Sequence, residues 1–334
     1  MSKKLPFKEY QLIEQYLQAL PDYFRHIAEK TIETPTDSMT VHHFQICHKS
    51  VSESERLPVL FIVAGVHGLE AIGIDILMSF VHHLYSQLHW NRNLQEEFKK
   101  VKIHFIPILN PHGYLYNQRS NFRGVDLMRN SPTESDTPWP FVGGQRFSNR
   151  LPYFRGNYGF EPENQFLLQE LSRVTSTSPM CLSLDLHSGF GAQDFLWTPY
   201  AKSKGFPPQW ARFERIKSLI DSTLPNHVYT IEPQSNQYTT SGDLWDFVFD
   251  SMIETGQIER NLLLPFTLEV GSWIWIKKSP FKAFRLKNLF NPAHSHRHKR
   301  VLRRHLPLLN LLLQLTSQGM DLFKDEKEEW PLAG

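Results

Sequence analysis

Two side chains that can bind a metal ion stand three residues apart in the first third of the chain. His67 and Glu70 lie in the segment Gly65-Val66-His67-Gly68-Leu69-Glu70, between an apolar run and a helix-like stretch. Neutral histidine and a carboxylate both bind Zn²⁺, and a catalytic zinc site needs three protein ligands and one open position. The pair alone is ambiguous, because a histidine in a turn and a glutamate at a helix cap would have the same spacing.

A third ligand must come from another part of the chain. His187 follows the apolar run from Cys181 to Leu186, and a buried strand there would bring it to the sheet edge where the strand before His67 ends. Two closely spaced ligands and one distant histidine are a common pattern of catalytic zinc sites. The sequence therefore predicts one Zn²⁺ per chain, bound by His67, Glu70 and His187.

Strand patterns and helix patterns alternate along the chain around these residues. Short apolar or alternating runs predict strands at 41–48, 59–64, 100–109, 181–186, 227–231 and 262–270. Apolar residues at helical spacing predict one or two helices over 7–30, a helix beginning at Pro162, and helices at 69–88, 209–221, 244–253 and 297–317. This alternation is typical of an α/β sheet whose chemistry lies at strand ends.

Composition indicates an ordinary globular protein. The chain has 334 residues, 40% of them hydrophobic, and its 36 basic and 34 acidic side chains give a net charge of +2. This balance favours neither nucleic acid nor a membrane surface as a partner. The two cysteines lack the spacing of a thiolate zinc motif. The first residues have lysines but no apolar segment behind them, which predicts a cytoplasmic protein without a propeptide.

One domain over residues 1–334 is the simplest organisation, because neither an internal repeat nor an interdomain linker stands out. We expect an N-terminal helical extension over about residues 1–40 and a C-terminal helix over about 297–317. Residues 131–160 are rich in proline and glycine, and so long an irregular segment within a domain is usually functional or disordered. Its position suggests that it walls the cleft and excludes large proteins. The sequence carries no signal for an oligomeric state.

Five segments, in this order, resemble the zinc metallocarboxypeptidases of the carboxypeptidase A-like family, in the branch related to succinylglutamate desuccinylases and aspartoacylases. They are Gly65–Glu70, Asn110–Gly113, Gly124–Asn130, Asp185–Ser188 and Thr267–Gly271. The resemblance covers roughly residues 58 to 275. It implies a three-layer α/β/α sandwich around a mixed, mostly parallel sheet.

The resemblance also implies roles for residues at the reacting end of the site. His67, Glu70 and His187 resemble the metal ligands of the family. Asp126 resembles the carboxylate that hydrogen-bonds a ligand histidine and fixes its tautomer. Glu269 resembles the general base that takes a proton from the attacking water.

Two arginines are candidates for binding negative charge. Arg119 resembles the family arginine that stabilises the developing oxyanion, although Arg123 competes for this role. Arg129 resembles the arginine that binds the terminal carboxylate of the substrate through a bidentate contact.

Three further residues concern the substrate side of the site. Tyr238 begins a segment, Tyr238-Thr239-Thr240-Ser241-Gly242, that resembles the specificity loop of the family, and would be a mobile phenol that donates a hydrogen bond to the substrate. Trp245 falls where the family has a residue on the floor of the side-chain pocket. Met128 departs from the pattern, because the family usually has asparagine immediately before the carboxylate-binding arginine.

These features predict hydrolysis of an amide bond near a free carboxylate, by a carboxypeptidase-like peptidase acting on small peptides. Deacylation of an N-acyl amino acid, or cleavage of a cell-wall peptide, would use the same residues. A catalytically inactive member that binds such a ligand as a sensor is the alternative from another class.

The remaining histidine clusters have simpler interpretations. His294, His296 and His298 alternate before the last predicted helix and are interpreted as part of a solvated loop. The pairs His42-His43 and His82-His83 have no acidic partner at a useful spacing in the sequence and are interpreted as structural.

Overall fold

The computed structural model describes residues 7–140, 142–157, 159–273, 287–292 and 294–324. Its centre is a mixed sheet of eight strands among these residues, in the order β1-β2-β4-β3-β5-β8-β6-β7. The strands are β1 Phe24–Glu33, β2 Ser38–Ile46, β3 Val59–Ala64, β4 Lys102–Ile106, β5 Met180–Ser188, β6 Asp194–Thr198, β7 Tyr229–Pro233 and β8 Leu262–Val270. The central strands β4, β3, β5 and β8 are parallel to one another.

Helices connect the strands and cover the sheet. They are α1 Lys8–Ala19, α2 Ala71–Leu88, α3 Arg92–Glu97, α4 Pro111–Tyr116, α5 Pro162–Thr177, α6 Trp210–Thr223, α7 Leu244–Glu254, α8 Lys287–Phe290 and α9 Ser295–Gln318. A short 3-10 turn, Leu127–Arg129, precedes the long irregular segment. Within the described residues, none of these helices is long and apolar enough to cross a membrane.

Helices lie on both faces of the sheet. All residues of β3, β4 and β5 are buried, as expected for strands covered on both sides. Gly73 of α2 packs directly on Leu186, whereas Trp245 of α7 bonds Asp185. Because neighbouring residues of a strand point to opposite faces, α2 and α7 lie on opposite sides. This confirms the three-layer α/β/α sandwich around a mixed sheet.

The predicted N-terminal helical extension over residues 1–40 is wrong in its second half. Residues 24–33 form strand β1, which pairs antiparallel with β2, and α1 ends at Ala19. The apolar residues Phe24, Ala28 and Ile32 are four apart, as in a helix. The pairing has a bulge between His26 and Ala28, and an extra residue in a strand breaks the alternation by which strands are recognised.

The other predicted elements are confirmed to within a few residues, and strand β6 is an addition that the sequence reading did not contain. It has five residues, pairs with both β8 and β7, and follows the loop after His187. Residues 1–6 of the predicted N-terminal extension lie outside the described residues.

Candidate metal centre

The parallel pairing of β3 and β5 brings the three predicted ligands together. Ala64, the last residue of β3, pairs with Leu186 of β5, so the loop after β3 begins beside His187. His67 lies in that loop, and Glu70 is at the N-cap of α2. Segments about 120 residues apart in the chain therefore meet at the carboxyl end of the sheet, where open α/β sheets bind their ligands.

The distances among the three side chains fit one metal ion. His67 Nδ1 lies 2.9 Å from Glu70 Oε1, and His187 Nδ1 lies 3.2 Å from both Glu70 Oε2 and His67 Nδ1. All three residues are buried. Tetrahedral zinc with bonds of about 2.1 Å separates its ligand atoms by about 3.4 Å. Two imidazoles and one carboxylate, with an accessible cavity beside them, are a donor set that fits catalytic Zn²⁺.

The charges of the triad stabilise one another. Burial alone would raise the pKa of Glu70, but His67 and His187 outweigh it and hold this pKa well below its usual value. Burial would lower the pKa of His187, yet Asp185 and Glu70 raise it well above the ordinary value. The carboxylate is thus ionised without any metal, and a cation would replace the proton on the histidine.

Each ligand histidine has a carboxylate behind it. Asp126 Oδ1 lies 3.0 Å from His67 Nε2, and Asp185 Oδ2 lies 3.0 Å from His187 Nε2. Asp126 was predicted to make such a contact, whereas the sequence reading missed Asp185. The signal was present, because residues two apart in a strand lie on the same face. Trp245 Nε1 donates a 2.8 Å hydrogen bond to Asp185 and fixes that carboxylate.

The structure separates the two arginines that compete for the oxyanion role. Arg119 Nε donates to Asp126 Oδ2 at 2.8 Å and its Nη1 lies 3.2 Å from Glu70 Oε1. Arg123 is largely exposed and pairs with Glu161 at 3.5 Å. Only Arg119 lines the cavity beside the metal ligands.

Arg129 is a buried cation that points into the same cavity. Its hydrogen bonds go to the backbone carbonyls of Met128 and Val142, at 3.3 and 3.4 Å. Among the described residues, Arg129 takes part in no ion pair, although it is only 4% exposed. Asp243 lines the same cavity, and the charge of Arg129 opposes the rise that burial causes in the pKa of its carboxyl group. Because no carboxylate pairs directly with the Arg129 guanidinium in the described chain, an anion from a ligand could bind it.

Glu269 lies next to His187 on the neighbouring strand. The two residues are directly paired in the parallel β5–β8 ladder, and the Phe190 N–H donates a 2.7 Å hydrogen bond to Glu269 Oε1. Burial, together with the nearby charge of Glu70, raises the pKa of Glu269 to about 8. The carboxyl group is therefore poised to exchange protons near neutral pH.

The cavity at this edge has a volume of about 140 Å³. Tyr238 lines it, with its ring centroid 4.9 Å from that of Phe190, and Met128 lines it as well. Trp245 does not reach this cavity. Its side chain lines a smaller adjoining cavity, beside Asp243, and so it limits the depth of the pocket from behind.

The residues on either side of Arg129 supply no side-chain amide to the cavity. Met128 is buried and offers no polar group, and the next residue, Asn130, is turned away from the cavity. The Asn130 amide donates to the backbone carbonyls of Arg155 and Gly159 at 3.0 and 3.1 Å. Arg129 and Arg119 are the two arginines in the described lining of the cavity.

The irregular segment 131–160 forms part of the cavity wall through Val142 and Tyr153. Arg155, which the sequence reading missed, fixes the segment by donating to the carbonyls of Arg129, Ser131 and Thr133. The prediction that this segment lies at the wall of the cleft is therefore confirmed. The exclusion of large proteins stays a prediction.

Two glycines allow the site loops to approach each other. A Cβ on Gly68 would lie 1.8 Å from the carbonyl carbon of Gly113. Gly242 has φ +82°, and a Cβ there would lie 2.0 Å from the carbonyl oxygen of Arg129. Only glycine fits both positions, which bring the ligand loop onto the turn at 110–113 and the Tyr238 loop onto the arginine.

The chain is similar in sequence to known zinc-dependent enzymes. The profile of the zinc carboxypeptidase family, Peptidase_M14, matches residues 13–272. Carboxypeptidase SOL1 of Arabidopsis thaliana is 22% identical over 230 residues, which are 68% of this chain and 42% of that protein. The chain thus spans less than half the length of this curated relative.

Two solved structures show the same fold. Bovine thrombin-activatable fibrinolysis inhibitor, in complex with tick carboxypeptidase inhibitor, aligns with a TM-score of 0.64 at 17% identity, over 95% of this chain and 96% of that one. A metallo-carboxypeptidase from Pseudomonas aeruginosa aligns with a TM-score of 0.56 at 18% identity, over 93% and 68% of the two chains.

Proposed function

Because this chain belongs to the zinc carboxypeptidase family, we propose that it is a zinc-dependent hydrolase that cleaves an amide bond beside a free carboxylate, releasing the C-terminal residue of small peptides. One observation carries the proposal. Arg129, a buried cation without an ion-pair partner in the described chain, lines the same cavity as the three predicted zinc ligands and Glu269. Such a cavity can hold a terminal carboxylate and a scissile amide at the same time.

The reaction divides among a few side chains. Zn²⁺ held by His67, Glu70 and His187 would supply Lewis-acid chemistry, polarising a carbonyl and lowering the pKa of water. Glu269, fixed through one oxygen by the Phe190 N–H, takes the proton of the attacking water and passes it to the departing amine.

Two arginines then have separate functions. Arg119 is held in place by Asp126 and Glu70 and puts a fixed positive charge where the oxyanion develops. Arg129 binds the substrate carboxylate, and its planar guanidinium can do so through two hydrogen bonds. Tyr238, among the aromatic rings of Trp139, Phe190 and Trp197, is positioned to cover the bound substrate.

A second candidate, deacylation of N-acyl amino acids or cleavage of a cell-wall peptide, is favoured by Met128. An N-acyl amino acid presents the same amide and carboxylate in a smaller molecule. Because Met128 supplies no amide beside Arg129, the carboxylate clamp is simpler than in the family pattern. The binding of substrates that make few contacts beyond their carboxylate would be weakened least by the loss of this amide.

A mixed library of peptides and N-acyl amino acids tests the proposal. The zinc-loaded protein is incubated with the library, and mass spectrometry identifies which compounds are shortened and which residue is released. We expect loss of single C-terminal residues from small peptides. Preferential deacylation would establish the second candidate, whereas bound zinc without any hydrolysis would favour a binding module. The cytoplasmic location stays a prediction, which cell fractionation tests.

A further inference from the structure

A second cluster of metal-binding side chains lies on the β1–β2 hairpin. His26 Nε2 is 3.1 Å from His42 Nδ1, and Glu29 Oε2 is 3.3 Å from His42 Nδ1 and 3.7 Å from His26 Nε2. Like the triad at the candidate metal centre, the three side chains could each offer a ligand atom to one ion. The interpretation that His42 has no acidic partner is thus wrong, because the partner comes from the neighbouring strand.

A backbone irregularity creates this cluster. His26 and Glu29 are three apart in β1, so in a regular strand they would point to opposite faces. The pairing shifts between His26 and Ala28, so that His26 pairs with Phe44 and Glu29 pairs with His42. Because Phe44 and His42 are two apart in β2, the bulge puts all three polar side chains on one face. Re-aiming a side chain is a recurrent function of such bulges.

The three ligand atoms have the separation that a tetrahedral ion requires. Their distances of 3.1, 3.3 and 3.7 Å lie around the value of about 3.4 Å expected for zinc with bonds of about 2.1 Å. Two imidazoles and one carboxylate suit divalent ions such as Zn²⁺, Co²⁺ and Ni²⁺. The donor set is the same as at the candidate catalytic centre.

The charge state and orientation of His42 suit a metal ligand. Burial first, and then the neighbouring His26, lower its pKa to about 4, so the ring is neutral at neutral pH. It lies between the rings of Tyr10 and Phe44, at centroid distances of 4.6 and 5.9 Å. Its Nδ1 faces His26 and Glu29, whereas its Nε2 is buried without a partner in the described chain.

Solvent reaches the other two side chains. His26 is 37% and Glu29 is 56% exposed. An ion could therefore enter without opening the core, and water could complete its coordination.

We propose that His26, Glu29 and His42 form a second binding site for a divalent transition-metal ion of the zinc class, outside the candidate catalytic centre. In the sheet, β4 and β2 separate β1 from β3, so the two sites share no element. A bound ion would join the edge strand β1 to β2 and stabilise the hairpin by mass action.

Metal stoichiometry tests this site without any substrate. The protein is dialysed against buffered Zn²⁺, and zinc per chain is measured by inductively coupled plasma mass spectrometry. We expect two equivalents in the wild type and one in the double variant His26→Ala/Glu29→Ala. Both replaced residues are exposed, so the variant should fold, which circular dichroism checks.

Two control variants make the result specific. Glu33→Ala removes an exposed carboxylate from the same strand and face, and His296→Ala removes a histidine from the first turn of α9, where the sequence had predicted a loop. Both should keep two equivalents. Equal zinc content in the saturated wild type and the hairpin variant would overturn the proposal, whatever the candidate metal centre binds.

Cobalt adds a spectroscopic readout. The second Co²⁺ equivalent should add visible absorption bands that the hairpin variant lacks, since tetrahedral histidine ligation gives such bands. Peptide hydrolysis by the hairpin variant should equal that of the wild type. A failure of the proposed hydrolase activity would leave the stoichiometry unchanged, so the two proposals fail separately.

Discussion

At the scale of the residue, the candidate metal centre contains carboxyl groups in opposite electrostatic states. Two histidines hold Glu70 as a carboxylate, and Arg119 together with His67 lowers the pKa of Asp126 well below its usual value against the effect of burial. Burial and Glu70 raise the pKa of Glu269 to about 8. Environments that separate pKa values in this way assign different roles to chemically identical groups.

Replacing the proposed base separates metal binding from proton transfer. The Glu269→Gln variant should keep its zinc, because Glu269 is not among the three predicted ligands, but its turnover should fall by about 10²- to 10⁴-fold. Zinc content and turnover are measured on the same preparation. A variant that hydrolyses peptides as fast as the wild type would remove Glu269 from the mechanism.

Replacing Arg129 by lysine keeps the charge but loses the bidentate geometry. We expect kcat/KM for peptides with a free C-terminus to fall about 10- to 100-fold, since each tenfold loss corresponds to about 1.4 kcal/mol of lost binding. Arg123→Lys is the matched control, because Arg123 is exposed and outside the cavity, and it should leave kcat/KM unchanged. Equal kinetics for both variants would contradict the assignment.

At the scale of the element, the first turn of α5 carries a buried acid. Glu163 is fully buried, and its Oε2 accepts a long 3.4 Å hydrogen bond from Asn121. Its other oxygen has no partner among the described residues. Burial raises the pKa of Glu163 from 4.5 to about 7, so folding favours the protonated form.

The stability contributed by Glu163 should fall as the pH rises. Since the pKa of Glu163 is higher in the folded than in the unfolded state, its contribution to the free energy of unfolding is fully present below pH 4.5. That contribution is lost as the pH rises through about 7. Glu163→Gln should therefore gain stability over the wild type between about pH 5 and pH 8, by at most about 3 kcal/mol. Urea unfolding at both pH values measures the gain, and a difference that does not depend on pH would refute it.

The elements also show what the sequence could predict. Strands β3, β5 and β8 and helix α2 have uninterrupted apolar patterns, so their positions, and with them His67, His187 and Glu269, could be inferred. Strand β1 could not, because its bulge imitates helical spacing. The same bulge brings His26 to His42 and Glu29, a contact that depends on the register between two strands. No local pattern in the sequence encodes that register.

At the scale of the whole molecule, the candidate metal centre joins parts of the chain that are remote in sequence. The loop after β3, the N-cap of α2 and strand β5 each supply one predicted ligand. The absence of an ion pair to Arg129 among the described residues is likewise a property of the whole fold. It depends on where segment 131–160 and the Tyr238 loop place their polar groups, which the sequence does not reveal.

Removal of the metal should affect the entire domain. We expect a chelator to abolish hydrolysis and lower the melting temperature, because an ion at 100 times its dissociation constant stabilises the folded state by about 2.7 kcal/mol. Adding Zn²⁺ back should restore both properties. The hairpin variant His26→Ala/Glu29→Ala should still lose stability on chelation, though less than the wild type. An unchanged melting temperature in both proteins would argue against bound metal.

The central claim is that the site cleaves an amide next to a free carboxylate bound by Arg129. It is tested most directly by the rates at which the zinc-loaded protein hydrolyses a small peptide and the same peptide with an amidated C-terminus. We predict release of the C-terminal residue from the peptide with a free C-terminus, and cleavage at least about 100-fold slower for the C-terminally amidated peptide. Equal rates for the two peptides would contradict the account.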